Sequence, residues 1–188
     1  MKPIEHYKKH DFALKEILAE GFIEQVANRI IQSINNGGKI IFCGNGGSAS
    51  DCNHIAAEFV CKFEKKRDSI GAISLSSNSA NLTAIGNDFG FSQIFSRQID
   101  SIAQQNDVLI AISTSGKSKN ILNAISTALS KNINVILFTG NDYVDNVVNE
   151  KFFLVRISSN NTAIIQESYM FILHNVVRIV ENKLFLND

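Results

Sequence analysis

The sequence predicts an α/β fold in which a parallel five-stranded sheet is flanked by helices. Five short runs, rich in apolar and β-branched residues, alternate with longer segments whose apolar residues recur at helical spacing. Strands that are apolar on both faces are typical of a parallel sheet covered by helices on both sides. The predicted strands span residues 39–43, 72–75, 107–112, 134–138 and 152–155.

The predicted helices occupy both ends of the chain as well as the crossovers. Helical periodicity covers residues 12–35, with an interruption near Gly21, and then residues 49–63, 120–131 and 162–185. We expect one domain, residues 1–188, with residues 1–36 forming an N-terminal helical extension packed on it. The last segment is expected to form a long C-terminal helix.

Composition excludes several classes of protein. Lys+Arg and Asp+Glu both number 18, and a chain without net charge is a poor candidate for nucleic-acid or membrane-surface binding. No apolar run approaches the ~18 residues that cross a membrane, and the N-terminus lacks the apolar core of a signal peptide. Cys43, Cys52 and Cys61 lack CxxC spacing, which favours buried, inert thiols over disulfides or a cysteine-rich zinc site. We therefore expect a cytoplasmic protein with no nucleic-acid or membrane partner.

Two loops rich in glycine and serine follow predicted strands and precede predicted helices. The first contains Gly44, Asn45, Gly46, Gly47 and Ser48, and the second contains Ser113, Thr114, Ser115, Gly116, Lys117 and Ser118. Glycines let a ligand approach the backbone, and a helix N-terminus offers free N–H donors. Neither loop has the GxGxxG or GxxxxGK[ST] spacing of nucleotide sites. The loops suit a phosphate monoester or a polyol, and ordinary turns with serine caps are the alternative.

Two pairs of polar side chains have helical spacing. His54 and Glu58 are four residues apart, which places them on one helix face. Gln166 and His174 are eight residues apart, a little over two turns. The pairs could form one metal site, act as a general acid and base, or make helix-surface hydrogen bonds.

Three further segments have simpler interpretations. His6 and His10 lie among charged residues, which indicates a solvated helix face, and residues 62–67 are read as a solvated helix end. Residues 87–91, which include Asn87 and Asp88, have the composition of a turn, where an acidic side chain could also orient a sugar hydroxyl.

Four of these segments resemble the motifs of one family. Residues 43–58 resemble the signature of the phosphoheptose isomerases, which are sugar-isomerase (SIS) domain proteins. Residues 86–91 resemble their second motif, residues 112–118 resemble the SIS phosphosugar loop, and the spacing from Gln166 to His174 matches their C-terminal pair. The resemblance covers essentially the whole chain and implies a three-layer SIS sandwich, usually assembled as a homotetramer with active sites near subunit contacts.

The resemblance implies conversion of sedoheptulose 7-phosphate, a phosphorylated seven-carbon sugar, to D-glycero-D-manno-heptose 7-phosphate, the first step of bacterial heptose biosynthesis for lipopolysaccharide or other glycans. It implies that Glu58 is the catalytic base and His174 the acid, and that one zinc ion per subunit is held by His54, Glu58, Gln166 and His174. The substrate contacts that it implies are Asn45, Gly46, Gly47, Ser48, Glu58, Asn87, Asp88, Ser113, Thr114, Ser115, Ser118 and Gln166. The rivals are a non-catalytic SIS paralogue that binds the replication initiator protein, and an isomerase of another phosphosugar.

Overall fold

The computed structural model describes residues 1–185 and contains a five-stranded, wholly parallel sheet. The strands are β1 (Ile40–Gly44), β2 (Ala72–Ser74), β3 (Val108–Ile112), β4 (Asn134–Thr139) and β5 (Phe152–Arg156). Their order across the sheet is β2-β1-β3-β4-β5. Every predicted strand is confirmed to within one residue at each end.

Seven α-helices accompany the sheet within the described residues. They are α1 (Pro3–Ala19), α2 (Phe22–Asn35), α3 (Gly47–Val60), α4 (Ser79–Phe89), α5 (Ser96–Ile102), α6 (Lys119–Ser130) and α7 (Thr162–Leu184). None of these helices, over residues 1–185, has both the length and the hydropathy needed to cross a membrane.

The strands send alternate side chains into two separate cores. On one face Phe42, Ile110 and Phe138 pack with buried residues of α2, α3 and α7. On the other face Leu109 and Leu137 pack with buried residues of α5 and α6. Helices therefore cover both faces of the sheet, which confirms the three-layer α/β prediction.

The strand order determines where the two glycine- and serine-rich loops lie. Strands β1 and β3 are neighbours, with Gly44 opposite Ile112 at their carboxyl ends. The loops that follow these two strands consequently emerge side by side, at the edge where parallel α/β folds bind ligands.

Helix α4 was not predicted, and it changes the interpretation of residues 87–91. Asn87 and Asp88 lie in the last turn of α4, and Gly90 ends the helix with φ 86°. Leu82, Ile85 and Phe89 have helical spacing, but this apolar stripe is short, and Leu82 and Ile85 are only partly buried against the core. The Asn78 side chain caps the helix by accepting a hydrogen bond from the Asn81 N–H, 3.1 Å away.

Helix α1 begins at Pro3, nine residues before the start of the predicted apolar periodicity. Two smaller expectations were wrong. Cys61 is exposed, whereas Cys43 and Cys52 are buried as expected. His6 is not simply solvated, because its Nε2 lies 2.6 Å from Glu167 Oε2 on α7. The contact between His6 and Glu167 depends on how α1 packs against α7, which local composition does not reveal.

The charged run at residues 62–67 is a loop rather than a solvated helix end. Helix α3 stops at Val60, and the chain folds back over α7. The Arg67 side chain is completely buried against Glu181.

Candidate active site

A pair of asparagines joins the two glycine- and serine-rich loops. The Asn45 Nδ2 donates to Asn120 Oδ1 over 2.9 Å, and the Asn120 Nδ2 donates to Asn45 Oδ1 over 2.8 Å. Asn120 lies in the first turn of α6 and is only 3% exposed. Sequence reasoning missed Asn120, although a polar residue directly after the second loop was a visible signal.

The first loop contacts α7 through the Ser48 and Tyr169 hydroxyl groups. Gly46 has φ 56°, a backbone conformation that favours glycine. The Ser48 hydroxyl lies 3.0 Å from the Tyr169 hydroxyl, which donates a hydrogen bond of 2.5 Å to Asp51 Oδ2. Burial, together with the hydrogen bond to Asp51, raises the pKa of Tyr169, so this hydroxyl stays protonated and Ser48 has a fixed partner.

The second loop gathers four hydroxyl groups at the end of β3. Ser113 Oγ donates to Ser118 Oγ over 3.4 Å, and Ser115 Oγ accepts a hydrogen bond of 3.2 Å from the Lys117 N–H. Gly116 has φ 65°, and a Cβ there would lie 2.5 Å from the Tyr143 ring. The hydroxyls of the loop, Ser113, Thr114, Ser115 and Ser118, therefore lie within one tight turn beside the first loop.

Helices α3 and α7 bring together His54, Glu58 and His174, three of the four side chains predicted to bind a metal. His54 Nε2 lies 3.1 Å from His174 Nε2, and the two rings are perpendicular, with an interplanar angle of 88°. Glu58 Oε1 lies 3.6 Å from His54 Nε2. His54 is exposed, whereas Glu58 and His174 are half-buried. The cluster thus combines a carboxylate and two imidazoles at a solvent-accessible position.

His174 has a lowered pKa. Burial is the largest cause, and the neighbouring His54 and Arg178 act in the same direction, while Glu58 partly opposes them. His174 is therefore mainly neutral at pH 7. In the 3.1 Å contact between the two Nε2 atoms, one imidazole donates and the other accepts.

Gln166 lies at the first loop rather than in the ionisable cluster. Its Nε2 is 2.8 Å from the position that a Cβ on Gly47 would occupy. Gly47 precedes His54 by seven residues of α3, and Gln166 precedes His174 by eight residues of α7. At 1.5 Å per residue, each separation is about 10–12 Å. Within one chain, Gln166 is therefore placed for contact with a ligand of the first loop.

Asn87 and Asp88 lie apart from both loops. The Asn87 Nδ2 donates to Asp88 Oδ1 over 2.7 Å, and both residues are exposed. Asp88 borders a cavity of about 450 Å³ beside α4 and α5, together with Phe89 and Arg97. Over residues 1–185, neither side chain makes a hydrogen bond to the two loops, so their predicted contact with substrate stays a prediction.

Comparison with known proteins identifies the family. The SIS domain model matches residues 9–140. The phosphoheptose isomerase of Laribacter hongkongensis is 38% identical, and the alignment covers all of both chains. The chain belongs to the phosphoheptose isomerase family. This finding confirms the resemblance that the four sequence motifs indicated.

Solved structures of phosphoheptose isomerases share the whole fold. The enzyme from Neisseria gonorrhoeae has a TM-score of 0.86 and 34% identity, covering 95% of this chain and 94% of its own. The enzyme from Francisella tularensis has a TM-score of 0.85 and 32% identity, covering 97% of this chain and all of its own. The fold is therefore that of the phosphoheptose isomerases.

The zinc site implied by the motifs is only partly formed within one chain. Two imidazoles and a carboxylate are donors that zinc accepts, and the Nε2 atoms of His54 and His174 already face each other. The fourth predicted ligand, Gln166, is two helical turns away in the same chain. Within residues 1–185, no three His, Cys, Asp or Glu side chains are arranged so that they could hold a metal ion. The donor types fit zinc, but one chain does not supply the full set.

Proposed function

We propose that this protein is an isomerase that converts sedoheptulose 7-phosphate to D-glycero-D-manno-heptose 7-phosphate. The observation that carries the proposal is the meeting of Glu58, His54 and His174 in a member of the phosphoheptose isomerase family. A carboxylate and an imidazole suffice for the proton transfers of a ketose-to-aldose conversion. The product would serve bacterial heptose biosynthesis, including lipopolysaccharide.

The Glu58 carboxylate acts as the base. It removes the proton from C1 of the ketose, and the electron pair forms a C1–C2 double bond as the C2 oxygen gains a proton. The resulting enediol collapses when C2 takes back a proton from Glu58 and O1 loses its own. One proton therefore moves from C1 to C2 and another from O1 to O2, with no net oxidation of the sugar.

His174 moves the proton between the two oxygens. Its lowered pKa keeps it neutral at pH 7, so one ring nitrogen carries a proton and the other accepts one. A neutral imidazole can donate its N–H to the developing enediolate oxygen at O2 and accept a proton in return from O1. The contact with His54 Nε2 supports this role by restricting the orientation of the ring.

The two loops bind the rest of the sugar phosphate. Their hydroxyl groups and the helix N-termini of α3 and α6 suit a phosphate dianion and the sugar hydroxyls. The residues proposed for these contacts are Asn45, Gly46, Gly47, Ser48, Ser113, Thr114, Ser115, Ser118 and Gln166, with Asn87 and Asp88 as further candidates.

We extend the proposal to one zinc ion per subunit. His54, Glu58 and His174 would hold it, and Gln166 would have to come from another subunit because of its distance within the chain. When bound, zinc would supply a Lewis acid near the substrate oxygens. Zinc content after dialysis, measured by atomic absorption, should fall in His54→Ala relative to the wild type.

The working form is proposed to be a cytoplasmic homotetramer. Support comes from apolar side chains left exposed on α1, since Ile4, Tyr7 and Phe12 are 58%, 63% and 57% exposed. Exposed apolar side chains that cluster on one element mark interaction surfaces. Sedimentation velocity would measure the assembly directly.

The activity test follows the conversion by NMR with purified protein and sedoheptulose 7-phosphate. We expect the aldose product from the wild type and a loss of at least ~10²-fold in Glu58→Gln and His174→Asn. Glu24→Gln on α2 and His10→Asn on α1 are matched controls that should keep wild-type rates.

A folded wild type that forms no product, with or without added zinc, would contradict the proposal. Hexose and pentose phosphates would then be tested as substrates, and the replication initiator protein as a partner in a pull-down. The presence of Glu58 and His174 argues against a purely non-catalytic role.

A further inference from the structure

We propose that Phe63 is a positioning residue for His174, and that a buried Arg67–Glu181 ion pair holds Phe63 in place. This inference deepens the proposed function and rests on it, because His174 must take part in the reaction for its orientation to matter. It also gives a role to the charged run at residues 62–67, which contains none of the proposed substrate contacts.

The Phe63 ring lies parallel to the neighbouring His174 imidazole. The ring centroids are 5.7 Å apart and the rings are nearly parallel, with an interplanar angle of 9°. His54 approaches the same imidazole at a right angle through the 3.1 Å contact between the Nε2 atoms. One neighbour restricts the plane of the imidazole and the other restricts the direction of its nitrogen, so the ring has little freedom to turn.

Arg178 supports Phe63 from α7. Its guanidinium lies 5.6 Å from the centroid of the Phe63 ring, within the range of a cation–π contact. The Arg178 Nε donates to Glu64 Oε1 over 2.9 Å, and its Nη1 donates to Asn175 Oδ1 over 2.8 Å. Arg178 follows His174 by one turn of α7, so the helix that carries His174 also holds its stacking partner.

Glu181 fixes the backbone around Phe63. Its carboxylate accepts hydrogen bonds from the N–H groups of Phe63, Glu64 and Lys65 at 3.1, 2.8 and 3.0 Å. Arg67 Nε donates to the same carboxylate over 2.8 Å, and the two side chains are 0% and 1% exposed. Four donors on one buried carboxylate leave this loop few alternative conformations.

Arg67 also fixes the end of the helix that carries Glu58. Its Nη2 donates to the Glu58 carbonyl and its Nη1 to the Phe59 carbonyl, each over 2.9 Å. These carbonyls belong to the last turn of α3, where intrahelical partners are missing. The Arg67–Glu181 pair therefore joins the backbone of the proposed base to the helix that carries the proposed acid, and Phe63 lies between them.

The test removes the aromatic ring and then restores it. We expect Phe63→Leu and Phe63→Met to lower kcat by about 10- to 100-fold, since small misplacements of a reacting group have effects of this size. KM should change little, because neither phosphate loop is touched. Phe63→Tyr keeps the ring and should restore most of kcat. Phe22→Leu is the matched control, because Phe22 is also half-buried but has its aromatic contact with Phe153.

A spectroscopic measurement separates positioning from general damage. The ring current of Phe63 acts on the His174 ring protons, so Phe63→Leu should change their ¹H shifts in ¹³C-histidine-labelled protein. The signal of the His174 ring protons is assigned as the one that is missing from the spectrum of His174→Asn. Thermal melts of all variants check that the fold is intact.

Wild-type kcat in both Phe63→Leu and Phe63→Met, with unchanged His174 shifts, would overturn the proposal. An equal decrease in kcat in Phe63→Tyr and Phe63→Leu would also overturn the proposal. If the wild type does not isomerise sedoheptulose 7-phosphate, the proposed function fails, and the histidine spectrum alone then decides whether Phe63 orients His174.

Discussion

Asn45 and Asn120 exchange two side-chain hydrogen bonds, of 2.9 and 2.8 Å, across the carboxyl ends of β1 and β3. The two residues are 75 positions apart in the chain. Through this exchange, the loop that follows β1 and the turn that follows β3 depend on each other for their conformation. Loss of either amide should therefore disturb both proposed phosphate-binding segments.

Replacing Asn120 with alanine should weaken substrate binding. The half-buried Asn45 amide would lose both hydrogen bonds, and each such bond contributes about 0.5–1.5 kcal/mol. We expect KM for sedoheptulose 7-phosphate to rise about tenfold, with a smaller change in kcat, because about 1.4 kcal/mol corresponds to a factor of ten. Asn123→Ala is the control on the same helix, since the Asn123 amide donates to the Ser92 carbonyl instead. A wild-type KM in Asn120→Ala would contradict this role.

Replacing Glu181 with glutamine should destabilise the protein. The charge of the buried Arg67 guanidinium would lose its partner, and the new NH₂ group would face N–H donors. Breaking one side of a buried ion pair costs about 3–5 kcal/mol. Urea denaturation should show this decrease in the free energy of unfolding. Glu24→Gln, the same substitution at an exposed position of α2, should change the free energy of unfolding by less than about 0.5 kcal/mol. Similar free energies of unfolding for Glu181→Gln and Glu24→Gln would contradict the prediction.

The contribution of Glu181 should disappear in acid. Burial acts to raise the pKa of Glu181, but hydrogen bonds from Glu64, Lys65, Phe63 and Arg67 outweigh it and lower the pKa below the ordinary 4.5. Below about pH 4.5 the unfolded chain binds more protons at this site than the folded chain, so the free energy of unfolding falls with pH. The stability difference between wild type and Glu181→Gln should narrow from pH 7 to pH 4. A constant difference would show that the charge of Glu181 is not responsible.

Replacing Tyr169 with phenylalanine should disturb Ser48. The Asp51 carboxylate and the Ser48 hydroxyl would both lose the Tyr169 hydroxyl, at an expected cost of about 1–3 kcal/mol. We expect lower thermal stability and a higher KM. Tyr143→Phe is the control, because the Tyr143 hydroxyl makes no hydrogen bond within residues 1–185. Equal melting temperatures and KM values for the two variants would argue against the network.

The sequence predicted the sheet and the two loops because their signals are local. Five apolar runs identified all five strands, and Gly44 through Ser48 marked the loop that follows β1. Helix α4 escaped prediction because its apolar stripe is short and none of its residues is fully buried. The charged run at residues 62–67 was misinterpreted because charge predicts exposure, whereas the Arg67 side chain is wholly buried.

By itself, the sequence determined the alternation of strands and helices, the family motifs, and the pairing of His54 with Glu58 along one helix. The tertiary structure decided which distant groups meet. It placed His174 against His54 and Phe63, Arg67 against Glu181, and Asn120 against Asn45. It also placed Gln166 at the first loop, away from His174. The physical reason is that residue spacing fixes neighbours only within one helix or strand, whereas these contacts depend on how α3, α6 and α7 pack around the sheet.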